Sequence, residues 1–250
     1  LSSRGGNPAI KNMILDAKHK SSYRPSMNKL PVAKRAQILQ LLCEGSSMRT
    51  VSRVVGVSFN TVVKMLIDAG ECCSTFHDEM VRNVASKRVQ VDEVWSFTYA
   101  KQKNVSAAKA APEGAGDTWT WTAIDADSKL IIQWYVGDRS GETAKFFVDG
   151  VAERLATRVQ LTTDGLKSYL EAVEGAFGAD VDYAQLVKLY GASPDSAKGR
   201  YSPAECTGFI KTTIEGKPDD KHISTSFVER QNLTMRMHMR RSEEHTSELQ

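Results

Sequence analysis

The chain has 250 residues, a formal net charge of +3 at pH 7 and 41% hydrophobic residues. These values are ordinary for a soluble globular protein and exclude a wholly disordered chain. No apolar run is long enough to span a membrane and the first residues do not form a signal peptide, so we expect no membrane partner. The cysteines lack the spacing of a disulfide framework, which favours reduced thiols in the cytoplasm.

The start of the chain differs in composition from the rest. Ser, Gly, Lys and Pro dominate residues 1–26, and no apolar periodicity is sustained there. Such a segment cannot bury enough apolar surface to offset the entropy of ordering it. We therefore expect residues 1–26 to be a disordered leader that is not native, with Met27 as the natural start.

Three short helices separated by glycine-containing turns are predicted within residues 27–70. Helical periodicity begins at Val32 and stops at Gly45, and further helices are predicted at 48–55 and 58–67. This arrangement is typical of a small all-α helix-turn-helix domain that binds DNA. A plain helical bundle without a nucleic-acid partner has the same pattern and is the alternative.

The third helix of this region has two chemically different faces. Four apolar side chains are expected to pack inward, namely Phe59, Val62, Val63 and Leu66. Asn60, Thr61 and Lys64 are expected to face away and to form a polar, basic surface. Side chains of these types contact base edges and phosphates in DNA grooves, so this outer face favours DNA binding over a plain bundle.

The rest of the chain predicts one α/β domain behind a helical connector. Residues 71–86 form the connector, and residues 87–241 follow the order β-β-β-α-β-α-β-α. Strands are predicted at 88–100, 118–124, 130–136, 158–163 and 181–189, and helices at 142–155, 167–177 and 224–241. The stretch 191–221 is polar and contains Gly and Pro, which predicts a long irregular connection. The pattern indicates a mixed sheet with helices on its faces.

Three acidic residues stand at positions suited to a metal site. Asp92 and Asp164 lie at or just past the end of β-like runs, and Glu229 opens the basic, Met-rich final helix. A carboxylate against an apolar strand is costly unless something compensates it. Hard oxygen ligands from separate elements suit Mg²⁺, which points to two-metal phosphoryl transfer on nucleic acid. Each acid also has an ordinary alternative, as a turn former, an ion-pair partner or a first-turn acid of a helix.

Two further features surround these acids. Glu93 is a rival to Asp92, and because neighbouring side chains of a strand point to opposite faces, only one of the two is expected to point into the site. On the final helix, Glu229, Asn232 and Arg236 are spaced i, i+3 and i+7 and therefore share one face.

Four motifs in this order resemble a known family. They are Val91-Asp-Glu-Val-Trp95, Trp119-Thr-Trp-Thr-Ala123, Leu161-Thr-Thr-Asp-Gly165 and Phe227-Val-Glu-Arg-Gln-Asn-Leu-Thr-Met-Arg236. From about Met27 to Arg241 the chain resembles a DDE transposase of the insertion-sequence-one family. The resemblance implies an RNase-H-like catalytic domain over residues 87–241, in which the first strand lies beside the fourth.

The resemblance also implies a catalytic site. It selects Asp92 rather than Glu93 as the first carboxylate. Asp92, Asp164 and Glu229 would be both the catalytic residues and the ligands of two Mg²⁺ (or Mn²⁺) ions. The implied reaction is DNA strand cleavage at the element end, followed by transfer of the freed 3′-hydroxyl to target DNA.

The implied partner is double-stranded DNA, both the element ends and the target. The helix-turn-helix would recognise the terminal inverted repeats, while Asn232, Arg236 and Arg240 would contact DNA beside the scissile bond. A transposase of this type implies a homodimer or higher oligomer on DNA, in the bacterial cytoplasm and associated with the nucleoid.

The end of the chain departs from the family pattern. Residues 242–250 are acidic and do not continue the helical periodicity, so we expect a disordered, foreign tail on a C-terminally truncated transposase. Two other functions fit the sequence: a DNA-binding regulator with an inactive RNase-H-like domain, and a nuclease that cuts without joining. The carboxylate triad argues against the regulator, whereas the sequence does not separate cutting from joining.

Overall fold

The structure is a computed structural model that describes residues 30–191 and 206–239. The predictions for residues 1–26, for the tail 242–250 and for Arg240 concern positions outside the described residues. Among the described helices, none is by itself long and apolar enough to cross a membrane. The bent pair Met48–Val55 and Phe59–Met80 passes the same test jointly, on length and composition alone.

Three helices near the N-terminus pack around a small core of their own. They are α1 (Val32–Cys43), α2 (Met48–Val55) and α3 (Phe59–Met80). Ser47 and Ser58 begin α2 and α3 by accepting hydrogen bonds from the backbone N–H groups of Thr50 and Thr61, which would otherwise lack a partner. Gly56 ends α2 in the left-handed conformation that glycine adopts without strain. The core consists of Ile38, Val51, Val55 and Val62.

The third helix is longer than the sequence predicted. We expected it to end at Ile67 before a separate connector, but α3 continues without a break to Met80. Gly70 does not interrupt it, because one glycine in a helix interior costs only about 1 kcal/mol. Contacts with the following domain hold the distal turns, since the His77 ring bonds the carbonyl oxygen of Ile131 at 2.9 Å.

The inward face of α3 is also rotated from the predicted one. Val62 is fully buried as expected, but Phe59 and Leu66 are 39% and 44% exposed. Met65 packs against the three-helix core instead. Val62 and Met65 are three residues apart and meet α1 and α2 on one face, so the apolar side chains at Phe59 and Leu66 turn toward solvent.

The remainder forms one mixed sheet with helices on both faces. Its strands are β1 (Arg88–Thr98), β2 (Gly116–Asp125), β3 (Ile131–Gly137), β4 (Gln160–Thr163), β5 (Asp182–Tyr190) and β6 (Cys206–Glu215). Its helices are α4 (Gln102–Val105), α5 (Gly141–Arg154), α6 (Ser168–Phe177) and α7 (Ser226–His238), with a 3₁₀ turn at Asp220–His222 before α7. The strand order is β3-β2-β1-β4-β5-β6, parallel where β4 meets β1 and β5 and antiparallel elsewhere.

This architecture confirms the fold class expected from the sequence. The first strand lies beside the fourth, as an RNase-H-like domain requires, and a small all-α unit precedes the sheet. The parallel connections run through α5 and α6, the usual crossover for parallel strands. Because these crossovers bring the carboxyl ends of β4 and β5 to one edge, residues after those strands meet there.

One strand of the sheet was not predicted. The expected irregular connection 191–221 contains β6, which pairs antiparallel with β5 at the edge of the sheet. Nearly every residue of β6 is exposed, on both of its faces. A strand that buries neither face has no alternation of apolar and polar residues, so periodicity does not reveal it.

The two faces of β1 serve different purposes. One face packs on α5 and α6 through a core that includes Val89, Val91, Trp121, Phe147 and Tyr169. The other face meets α7. There the Gln90 side-chain oxygen accepts hydrogen bonds from the backbone N–H groups of Phe227 and Val228, at 2.8 and 3.2 Å. These contacts satisfy two orphan donors at the start of α7 and place that helix across β1.

Candidate metal centre and its cleft

The register of β1 and β4 brings two predicted carboxylates together. Gln90 of β1 lies opposite Thr162 of β4, so paired residues of the two strands are 72 positions apart in the sequence (162 − 90). Asp164, directly after β4, follows Asp92 by the same 72 positions (164 − 92). Both acids therefore lie just beyond the last paired residues of the two strands, and an oxygen of one carboxylate lies within 4.8 Å of an oxygen of the other. Asp92 is not at a strand end as expected, because β1 continues past it to Thr98.

The surroundings of Asp92 contain two buried acceptors without partners. Asn232 on α7 donates from Nδ2 to Oδ2 of Asp92 at 2.7 Å, and Thr122 on β2 lies directly opposite Asp92. The other amide oxygen, Oδ1 of Asn232, and Oγ1 of Thr122 are buried and have no hydrogen-bond partner among the described residues. Buried polar atoms normally find a partner, so this pocket suits a bound water or cation.

The electrostatics of the cluster also favour a bound cation. Burial, together with the nearby carboxylates of Glu93 and Asp164, raises the pKa of Asp92 to about 7. Burial raises the pKa of Asp164 and of Glu93 as well. Carboxylates that oppose each other's ionisation are stabilised when a positive ion sits between them. The oxygen-only donor set of this cluster could hold a metal ion, and it fits a hard divalent cation.

Glu93 lies close to the two aspartates, although of the two neighbours only Asp92 lines the cleft. Strand alternation holds, because Asp92 faces α7 whereas Glu93 faces the core side. Even so, oxygens of Asp92, Glu93 and Asp164 all lie within 4.8 Å of one another. The reason is that β4 ends at Thr163, so Asp164 lies beyond the strand, where side chains from both faces of β1 reach it.

Both oxygens of Glu93 already have protein partners. Oε1 accepts from Nε and Nη2 of Arg139 at 2.9 and 2.6 Å, and Oε2 accepts from the Tyr169 hydroxyl at 3.0 Å. The side chain of Glu93 is only 1% exposed. A buried charge that is paired and hydrogen-bonded is stable where it lies, so Glu93 forms the inner wall of the cluster.

The third predicted carboxylate lines the same cleft but lies outside this tight group. Glu229, in the first turn of α7, accepts a hydrogen bond on Oε1 from Thr225 and forms an ion pair through Oε2 with Lys188 of β5. Its negative charge contributes to the raised pKa of both Asp92 and Asp164. Glu229 is thus electrostatically coupled to the cluster while its oxygens are held by neighbouring side chains.

The acids open into a cleft of about 780 Å³ that also carries positive charge. Asp92, Asp164 and Glu229 lie in its wall together with three cationic residues, Arg139, Lys167 and Lys188. The sequence does not indicate these cations, because each stands alone in a turn or strand and no periodicity marks it. A wall with both charges suits an anionic substrate bound together with metal ions.

The other predicted site residues lie in different surroundings. Asn232 is buried against Asp92 rather than at the surface, and Arg236 is half-buried on the same face of α7. On α3, Asn60 is exposed, the hydroxyl of Thr61 bonds that of Ser58, and Lys64 is exposed and paired with Asp68. The three α3 positions belong to the helical cluster and do not line the cleft.

No family model matches the chain, and no curated protein matches it. Among solved structures, a similar one is the cryo-EM structure of a piggyBac transposase synaptic complex with hairpin DNA. The match covers 91% of this chain and 62% of that chain, with 8% sequence identity and a TM-score of 0.39. This chain therefore spans less than two thirds of the length of that transposase. A likeness of this size does not assign an activity.

Proposed function

We propose that the chain is a DDE transposase of the insertion-sequence-one type, which cuts DNA at an element end and joins the freed end to target DNA. The observation that carries the proposal is the proximity of the Asp92 and Asp164 carboxylates, whose oxygens lie within 4.8 Å of each other, at the wall of an open cleft that also carries cations. Carboxylates that converge from neighbouring strands on such a cleft are the arrangement that two-metal phosphoryl transfer needs.

Asp92, Asp164 and Glu229 are the residues that would hold two Mg²⁺ or Mn²⁺ ions. The donor set fits, because the carboxylate oxygens of Asp92 and Asp164 lie close together, Glu229 lines the same cleft, and buried acceptors lie beside Asp92. When bound, the ions would activate the attacking oxygen and stabilise charge on the phosphoryl oxygens. The resemblance to the transposase family supports the choice of Glu229 as the third ligand.

The protein groups around the ligands have their own tasks. Asn232 orients Asp92, which lines the cleft, by donating a hydrogen bond from Nδ2 to Oδ2. Thr225 and Lys188 hold Glu229 and would release it in part as a cation binds. Arg236, one turn beyond Asn232, would grip a phosphate next to the scissile bond, as Arg240 would further along.

The N-terminal helices would supply DNA recognition. The three helices have an independent core and a tight turn at Gly56, and the start of α3 is capped by Ser58. Asn60 and Lys64 are exposed there, as a reading helix requires. We propose that this unit binds the inverted repeats of the element, and that the enzyme acts as a homodimer or higher oligomer on DNA in the bacterial cytoplasm.

The test is cleavage and joining of duplexes that carry the DNA flanking the gene, with a supercoiled plasmid as target. Wild-type protein with Mg²⁺ or Mn²⁺ should nick the duplex and join its 3′ end to the plasmid. Asp92→Asn, Asp164→Asn and Glu229→Gln should each lower the rate by about a thousandfold or more, since metal-bound groups stabilise the transition state. DNA affinity should stay within about twofold, because each change keeps the side-chain shape.

Asp149→Asn is the matched control, because it removes an exposed carboxylate from the outer side of α5. It should cut and join like the wild type. Cutting without joining would make the chain a nuclease, and DNA binding without either reaction would make it a regulator. Full activity in Asp92→Asn or Asp164→Asn would remove the proposed site altogether.

A further inference from the structure

We propose that Arg139 binds a backbone phosphate of the DNA strand in the cleft, positioned for this by Glu93 and Trp119. This inference rests on the proposed function and extends it, because it assigns a substrate-binding group on the core side of the site, opposite α7. Three observations carry it: a rigid backbone, a side chain anchored on one edge, and an exposed guanidinium at the wall of the cleft.

The backbone around Arg139 is fixed on both sides. The carbonyl oxygen of Asp138 accepts a hydrogen bond from the buried indole of Trp121 at 3.0 Å. The Asp138 carboxylate accepts from the N–H and hydroxyl of Ser140 and from the hydroxyl of Thr143. Ser140 in turn caps α5. Arg139 therefore projects from a turn with little freedom, which limits the entropy lost when it binds a ligand.

The side chain is anchored along one edge and one face. Nε and Nη2 both donate to Oε1 of Glu93, and the guanidinium lies over the ring of Trp119, 4.6 Å from its centroid. No hydrogen bond from Nη1 to another described residue is found. An arginine presents five N–H donors in a fixed fork, so its remaining donors stay available on the edge away from Glu93.

Arg139 is exposed although its ion-pair partner Glu93 is buried, and the ion pair by itself does not require this difference. Glu93 is 1% exposed, whereas the side chain of Arg139 is 40% exposed and lines the cleft beside Asp164. Neutralising Glu93 uses only the Nε–Nη2 edge of the guanidinium, so the ion pair does not account for the opposite edge, which is left at the cleft with donors unused by the described residues. An arginine with a free, exposed edge beside a metal cluster is suited to bidentate contact with a phosphate.

The experiment compares Arg139→Gln with Arg158→Gln. Arg158 is the matched control, because its side chain is 41% exposed and also pairs with carboxylates. It precedes β4 and therefore lies at the opposite end of that strand from Asp164. Duplex affinity is measured by fluorescence anisotropy over a range of salt concentrations, with Ca²⁺ in place of Mg²⁺. We expect Arg139→Gln to bind about tenfold more weakly, with the slope of log affinity against log salt reduced by about one, as for one lost phosphate contact. Arg158→Gln should match the wild type.

A second variant separates positioning from charge. Trp119→Leu keeps the charge of Arg139 but removes the ring over which it lies. It should weaken duplex binding by about threefold, since the anchored side chain gains freedom, while the salt slope stays unchanged. If Trp119 only stabilised the fold, its replacement would not weaken duplex binding while leaving the salt slope unchanged.

Folding and function are controlled independently. Arg139→Gln leaves Glu93 without its cation, so the double variant Glu93→Gln with Arg139→Gln serves if the single variant unfolds; it should show the same lower salt slope. Unchanged affinity and slope in the folded Arg139 variant would overturn the inference while leaving the metal site intact. Conversely, if the wild type cut no DNA but its binding still depended on Arg139, the proposed reaction would fail and the phosphate site would stand.

Discussion

Asn232 and Asp92 join the last helix to the first strand through one hydrogen bond, from Nδ2 to Oδ2 at 2.7 Å. The two residues are 140 positions apart in the chain. Glu229 lies three residues before Asn232 on the same face of α7, so the contact also sets how far Glu229 stands from the Asp92–Asp164 pair. Asn232 is therefore a positioning residue for the cluster, and it is buried.

Asn232→Asp should destabilise the protein in the absence of divalent cations. The change replaces a donor by a carboxylate that faces Asp92, so the free energy of unfolding should fall by about 1–3 kcal/mol at pH 8. Adding Mn²⁺ should restore much of the loss, because the new carboxylate adds a ligand. Urea unfolding with EDTA and with Mn²⁺ measures both effects. Asn104→Asp, at an exposed position on α4, is the control; equal losses in the two variants would contradict the positioning role.

The pKa of Asp92 predicts a pH-dependent stability. A folded-state pKa of about 7, above the ordinary 3.8, means that the folded protein binds a proton between these values that the unfolded chain has lost. This contribution is present at low pH and is lost as pH rises through 7. With EDTA, Asp92→Asn should therefore be more stable than the wild type at pH 8, by up to about 4 kcal/mol, and much closer to it at pH 4.

The measurement is the difference in unfolding free energy between Asp92→Asn and the wild type from pH 4 to pH 8. Asp149→Asn, at an exposed carboxylate, should show no such rising difference. Mg²⁺ or Mn²⁺ should reverse the order at pH 8, since the wild type gains binding free energy that the variant lacks. A difference that stayed constant with pH would mean that Asp92 ionises normally in the fold.

Lys188→Gln should tighten cation binding. Lys188 pairs with Oε2 of Glu229, so its ammonium competes with a metal ion for that oxygen and repels the ion. Removing the charge should lower the Kd for Mn²⁺ by about threefold to tenfold, consistent with a partly exposed charge at short range. Electron paramagnetic resonance of free Mn²⁺ gives the Kd directly.

The control for Lys188 is Lys145→Gln. Lys145 also pairs with a glutamate, Glu171, but that pair bridges α5 and α6 on the protein surface. Its loss should leave the Kd for Mn²⁺ unchanged. Weaker Mn²⁺ binding in Lys188→Gln would mean that Lys188 supports the site, by holding Glu229 in place, more than it opposes the ion.

The outer face of α3 predicts two different effects on DNA binding. Lys64→Ala should lower the salt slope of binding by about one, the effect of a single phosphate contact. Asn60→Ala should instead relax the preference for the element end over unrelated DNA, since base contacts specify sequence. Competition binding with the two duplexes separates these outcomes. Lys34→Ala, an exposed lysine on α1, is the control; identical behaviour of all three variants would leave a plain helical bundle.

Local sequence was sufficient for the elements that bury one face or end at a marked residue. Ser58 predicted a helix start because a serine side chain satisfies a nearby N–H by itself. Asp164 was recognisable as a strand-end acid, since a carboxylate after an apolar run is unusual whatever lies around it. The same expectation was wrong for Asp92, which lies within β1 because the strand continues to Thr98. The mixed α/β fold followed from the order of these elements.

Other features depended on partners far away in the chain. β6 buries neither face and exists because β5 offers an edge, and α3 passes Gly70 because its later turns bond the next domain. No periodicity encodes either contact.

The site shows the same division between local pattern and tertiary placement. Sequence alone determined that Asp164 follows a strand and that Glu229 lies in the first turn of a helix, because those positions depend only on neighbouring residues. Tertiary structure decided that Glu93 shares the cluster, that Arg139 and Tyr169 hold it, and that Lys188 holds Glu229. The physical reason is that electrostatic contacts act through a few ångströms of space, while these partners are 41 to 76 positions apart in the chain.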